Sequence, residues 1–144
     1  MRCLPPVVCT LLMGICMLQS RAYAQSWHTY QTTSQVKIEY TDPVNCSFSG
    51  GTEAEYIFLK FQNLTGQPIQ VSFHVEHYYV GSGCTTCNND EYQYTIQLPA
   101  NGTISTDCHF ASAGQSKLAI FKKFITRPNP TEFEKFEITH LTIE

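Results

Sequence analysis

Cys84 and Cys87 stand three apart in "GSGCTTCNNDEY" (81–92), a spacing open to three kinds of chemistry. Two such thiols can form a redox couple, supply half of a zinc site, or close into a disulfide framework. A reactive C-x-x-C thiol is usually acidified at a helix N-terminus within an α/β unit. Here the flanks "YYVGSG" and "NNDEYQY" read as strand, turn and strand. A four-cysteine zinc site needs reduced thiolates, which an oxidising compartment disfavours. Beyond residue 24 the other cysteines are Cys46 and Cys108. An even set of four in an exported chain implies disulfides, with three pairings open.

Other chemistry-bearing groups are weaker. His74 and His77 in "HVEH" invite a metal, but an odd offset on a strand sends them to opposite faces. His28, His109 and His140 have no partner at a recognisable spacing. "NNDE" (88–91) is rich in oxygen ligands but lacks the spaced acids and glycine of a calcium loop. "CSFSGG" has its glycines after the serine and no strand-to-helix context for a nucleophile elbow. Glu53/Glu55 and Glu132/Glu134 sit on loops or outward faces, where solvated charge is the default. Neither an enzyme, a cofactor nor a metal is expected. Sequons occur at Asn45, Asn63 and Asn101, and these would be glycosylated only on a eukaryotic secretory route.

The chain begins "MRCLPPVVCTLLMGICMLQSRAYA", with Arg2, an apolar run from Leu4 to Leu18, and a small-x-small Ala22-Tyr23-Ala24. That pattern predicts a secretory signal peptide over 1–24, its apolar run being too short to span a bilayer. Cys3, Cys9 and Cys16 lie within it. One domain, 25–144, is expected to follow, long enough to bury a proper core. Without Arg2 and Arg21 the nine basic residues fall to seven against twelve acidic ones, and the formal charge moves from -3 to -5. A nucleic-acid footprint would be basic and clustered. No nucleic-acid partner and no transmembrane segment are expected in 25–144.

The elements that position these residues alternate apolar and polar side chains, the period of half-buried strands. "VKIEY" faces Val36, Ile38 and Tyr40 one way. "YIFLKFQN" turns Ile57, Leu59 and Phe61 inward. "IQVSFHVEHYYV" sets Val71, Phe73, Val75, His77 and Tyr79 against Ser72, His74, Glu76 and Tyr78, and "EYQYTIQL" aligns Tyr92, Tyr94, Ile96 and Leu98. "GTISTDC", "KLAIFKKFI" and "FEKFEITHLTIE" complete the set. The parity change between Ile138 and Leu141 predicts a bulge near Thr139–His140. A helical stripe also fits 117–125, but the strand period accounts better for Ile120 and Phe124. Breaks at "NLTGQP", "PANG" and "TRPNPT" leave about seven strands. The expected fold is all-β, an antiparallel immunoglobulin-like two-sheet sandwich, disulfide-stapled at one end. Trp27 falls outside the strand region, in a start expected to be mobile with Tyr30.

If each strand reverses the last, Cys46, Cys84, Cys87 and Cys108 all reach one pole. Convergence favours disulfides worth about 2–4 kcal/mol each. The expected pairing joins Cys46 to one of Cys84/Cys87 and Cys108 to the other; Cys84–Cys87 with Cys46–Cys108 is the alternative, since sequence does not fix connectivity. The same reversals give the cysteine pole the long loops 41–55, 81–90 and 109–116, and put 126–132 at the other end.

"EYIFLKFQNLTGQPIQVSFHVEHYYVGSGCTTC", the following "EY", "LPANGTI", Cys108, "LAIFKKF" and "FEKFEI" resemble a group of small secreted proteins of Bacteroidetes-type bacteria. The likeness covers most of 55–143 and is one of strand, turn and cysteine positions. It implies a bacterial periplasmic or extracellular location and little use of the sequons. The group has no assigned activity, so no catalytic or binding residue carries over.

Long loops cross-linked on a rigid scaffold are where recognition usually resides. The expected function is therefore a non-catalytic interaction or structural module, with Tyr78, Asn88, Asn89, Asp90, Glu91 and His109 as its contact surface and a protein or glycan as partner. A small carbohydrate-binding module with outward Tyr78 as platform is the alternative. A thiol-disulfide redox protein using Cys84/Cys87 is a second one.

Overall fold

Alternation builds ten strands across residues 25–144, the residues that the computed structural model describes. The expected signal peptide, 1–24, lies outside them. In chain order the strands are β1 (Trp27–Thr32), β2 (Val36–Thr41), β3 (Val44–Ser47), β4 (Glu53–Asn63) and β5 (Ile69–Tyr79). They continue with β6 (Gly83–Cys84), β7 (Gln93–Leu98), β8 (Thr103–Ser105), β9 (Ala119–Phe124) and β10 (Phe133–Ile143). Their pairings are antiparallel.

The long β4 is the axis of the first sheet. On one edge β2 pairs its last five residues and β3 its first four, so β2 and β3 form one ribbon kinked at Asp42–Pro43, where Pro cannot donate to the ladder. On the other edge β8 pairs Lys60–Gln62 and β9 pairs Ala54–Phe58, again as one ribbon. β1 pairs with β2 at the margin. In the second sheet β5 has β10 on one side and β7 then β6 on the other. The ten strands thus occupy seven ribbons, in the antiparallel two-sheet layering expected.

Between the sheets, Val36, Ile38, Ile57, Leu59 and Phe61 pack on Val71, Phe73, Val75, Ile96 and Leu98. The Phe61 and Phe73 rings are 4.6 Å apart. Each such burial contributes about 1.5–3 kcal/mol. β4 also buries its other face, for Phe58 is fully enclosed with Phe110 and Cys46. A strand covered on both sides reads as a continuous apolar run, which is why "YIFLKF" alternates poorly.

That second cover comes from residues 106–118. The chain leaves the ribbon at Ser105, opposite Lys60, and rejoins it at Ala119, opposite Phe58. In between it carries Phe110 across Tyr56, at 4.8 Å between ring centroids. β8 and β9 therefore run the same way, and the simple-reversal expectation fails at this point. As a result 125–132 lies at the end of the sandwich where β4 begins and β5 stops, here termed the loop end, and not at the opposite one.

Two further expectations change or hold. Trp27 and Tyr30 belong to β1: Lys60 Nζ sits 4.2 Å over the Trp27 ring, and the Ile138 N–H donates to the Tyr30 hydroxyl at 2.8 Å. Residues 119–124 are strand, and the β10 register slips between Thr139 and Thr142, with His140 at φ 49°.

Candidate functional site

Both cysteine pairs are closed: Cys46–Cys108 and Cys84–Cys87, with Cα–Cα distances of 5.4 and 5.8 Å. The expected cross-pairing is corrected by layer. Cys46 on β3 lies opposite Ala54 in the first sheet, and the 106–118 crossover delivers Cys108 to it. Cys84 on β6 lies opposite Tyr78 in the second sheet. All four do sit at the loop end, but each bridge stays within its own sheet.

The Cys84–Cys87 loop is pinned to β5 by its two threonines. The Thr85 N–H donates to His77 O at 2.9 Å and the His77 N–H to Thr86 Oγ1 at 2.8 Å. The buried Thr86 hydroxyl donates to Val75 O at 3.0 Å. His74 Nε2 donates to Thr86 O at 3.0 Å, since a carbonyl can only accept. Buried His74 is therefore a strut for the loop. Asn89 then caps the short turn Asp90–Tyr92, accepting from the Glu91 N–H at 3.0 Å.

Electrostatics around this bridge oppose thiol chemistry. The Glu76 carboxylate lies within 4.8 Å of both sulfurs. Tyr78 donates to its Oε2 at 2.7 Å and Thr139 to its Oε1 at 3.0 Å. The Tyr78 hydrogen bond, outweighing partial desolvation, holds Glu76 below the usual carboxylate range. The same bond pushes the Tyr78 phenol up to about 12. A thiolate at Cys84 or Cys87 would form beside an anion, the reverse of the electropositive setting of reactive cysteines. Glu76, Cys84 and Cys87 have the spacing of metal ligands, but sulfurs bonded to each other offer no thiolate.

The proposed contact residues fall into two groups. Asn88, Asn89, Asp90 and Glu91 follow the bridge on the approach to β7, and Tyr78 lies beside Cys84 across β6. Tyr78 is already engaged, with its hydroxyl on Glu76 and Lys135 Nζ 4.5 Å over its ring. His109 lies apart, on the crossover that covers the first sheet. There Asp107 Oδ1 accepts from its N–H at 2.7 Å and lies 3.1 Å from its Nδ1. Of the sequon asparagines, Asn63 is buried and its amide donates to Gln67 O at 2.7 Å and Pro99 O at 2.9 Å, which commits that nitrogen to the turns. Asn45 and Asn101 are exposed.

Sequence reasoning passed over the inner face at the loop end. There His77, Tyr79, Tyr92 and Tyr94 line the gap between the sheets. The signal was present in two alternating sets, Val71–Phe73–Val75–His77–Tyr79 and Leu98–Ile96–Tyr94–Tyr92. Both turn from apolar to polar aromatic toward the same end.

These features define a class: a two-sheet antiparallel β-sandwich with a disulfide in each sheet and its longer loops gathered at one end. Comparison with protein-family models, curated proteins and solved structures found no match. Among the described residues no helix is long and apolar enough to cross a membrane.

Proposed function

We propose that the chain is an exported, non-catalytic interaction module acting at the cell surface or in the periplasm. The observation that carries this reading is the gathering of loops 48–52, 80–92 and 125–132 at one end of the sandwich, where Val80 and Ile125 are 54% and 41% exposed. Recognition tends to reside on loops held by a rigid scaffold. Pre-ordering them by disulfides lowers the entropy cost of binding. Export is supported by the two bridges, which form and persist in oxidising compartments, by the leader pattern, and by the resemblance to Bacteroidetes-type secreted proteins. The absence of catalysis is supported by the oxidised sulfurs beside ionised Glu76. Tyr78 and Asn88–Glu91 form the contact surface in this proposal, and His109 a separate one.

The test is capture of binding partners from native culture supernatant by the tagged protein. Alanine at Asn88, Asn89, Asp90 and Glu91 together is expected to abolish capture. Retained capture removes these residues from the surface. Insulin reduction by the purified protein, lost in Cys87→Ser, would replace the reading with the redox alternative.

A further inference from the structure

At the loop end the core between the sheets gives way to a cleft of about 210 Å³. Its floor is Val75 and Ile120, both almost fully buried. Its walls are His77 and Tyr79 from β5, Tyr92 from the short turn Asp90–Tyr92, Tyr94 from the start of β7, and Phe121 from β9, with Lys117 also lining it. The aromatic rings brace one another: His77 is 5.2 Å from Tyr92, Tyr79 is 5.7 Å from Phe133, and Tyr94 is 5.8 Å from Phe73. Each is half-buried, so the rings are fixed in place yet open on the cleft side.

The polar atoms of this wall are unused. Among the described residues the hydroxyls of Tyr79, Tyr92 and Tyr94 and both ring nitrogens of His77 make no hydrogen bond to protein. Half-buried polar groups are usually paired with protein or with solvent that a ligand can displace. Negative charge is absent by contrast. No carboxylate lines the cleft, and its one cation, Lys117, already donates to Thr95 O at 2.8 Å. Burial raises the phenol pKa of Tyr79 and Tyr94, so both remain donors at neutral pH. Burial also pushes His77 down to about 4, so its imidazole is neutral and presents one donor and one acceptor.

We propose that this cleft is a binding site for a single neutral pyranose ring. Such a ligand has apolar C–H faces to lie on the tyrosines and a girdle of hydroxyls to pair with the phenols and imidazole. The volume lies below the about 300–1,000 Å³ of pockets for drug-sized molecules, so one ring fits and a disaccharide extends into solvent past Lys117. The site faces the interior of the sandwich, on the side of β5 opposite Tyr78. It goes beyond the loop-surface reading and does not rest on it.

The test is titration of the 15N-labelled protein with glucose, galactose and N-acetylglucosamine, read as amide chemical-shift changes, with phenol and glucuronate as contrasting probes. A neutral sugar is expected to bind with Kd of about 1 mM, the range of about 4 kcal/mol for a small ligand, and to shift residues 75–79, 92–94 and 117–121. Tyr92→Phe, which keeps the ring, is expected to weaken binding about threefold. His77→Gln and Tyr92→Ala are expected to weaken it tenfold or more, and Tyr78→Ala to leave it unchanged. Absence of sugar-induced shifts to 50-fold above that concentration overturns the proposal. So do shifts confined to other residues, equal loss in Tyr78→Ala, or binding of phenol or glucuronate alone. Loss of supernatant capture on loop substitution, with sugar binding intact, would separate this site from the loop surface.

Discussion

His77 is inward on β5, where burial first and the nearby charge of His74 second oppose its protonation, giving a pKa of about 4 against an ordinary 6.5. As pH falls through 6.5 the unfolded chain takes up a proton that the folded chain refuses. The stability from neutral His77 is thus complete above 6.5 and lost as pH falls toward 4. Discounted for solvent screening at this partly open site, the loss is about 2 kcal/mol. Urea unfolding at pH 7 and pH 4.5 measures it: His77→Gln is expected to lose less stability between the two than the native protein, and an equal loss would refute the assignment. On the other face of β5, Tyr78→Phe is expected to raise the Glu76 pKa toward its ordinary value, as read by carboxyl-carbon NMR titration. An unmoved Glu76 would mean that Thr139 and the histidines hold it instead. These two residues show how legible the site was. The alternation gave correct faces for His77, Tyr78 and Tyr79, but exposure directed attention to Tyr78. Its bond to Glu76 joins neighbours two apart on one face of β5, but Lys135 over its ring comes from β10, more than fifty residues away in the chain, and no local pattern reports that contact.

Among the elements, the crossover 106–118 does most to shape the loop end. Its bridge closes a loop with sequence separation 62, whereas Cys84–Cys87 closes one of separation 3. Chain entropy then assigns about 4 kcal/mol to the first and about 2 kcal/mol to the second. Cys46→Ser with Cys108→Ser is expected to lower stability by about twice as much as Cys84→Ser with Cys87→Ser, measured by guanidinium unfolding. The reverse order would show that the crossover is not held by its bridge. The strands themselves were largely legible, down to the bulge at His140, because period and β-branched content act locally. β1 was not, since "WHTYQT" has no clean apolar face and gains its cover from Lys60 and Phe136. The crossover was not legible either. A loop that leaves a ribbon and returns to it has the same composition as one that reverses direction. Gly102 marks the opposite, readable case: a Cβ there would come within 2.9 Å of Pro99, so the "PANG" turn demands glycine.

At the scale of the whole molecule, seven ribbons in two sheets present their longer loops at a single end, with one disulfide in each sheet. Composition and alternation sufficed for the layering, since any chain of this length with such periods must bury two apolar faces against each other. They were silent on connectivity, which depends on which sheet each cysteine enters. The account of a rigid, thiol-inert recognition scaffold rests on that partition. The decisive measurement is peptide mapping by mass spectrometry on protein expressed from the full-length chain, alkylated in its native state and digested without reduction. The account predicts Cys46 linked to Cys108, Cys84 linked to Cys87, and no alkylatable thiol among the four. A link between the two pairs, or free Cys84 and Cys87 in the native protein, would overturn the partition.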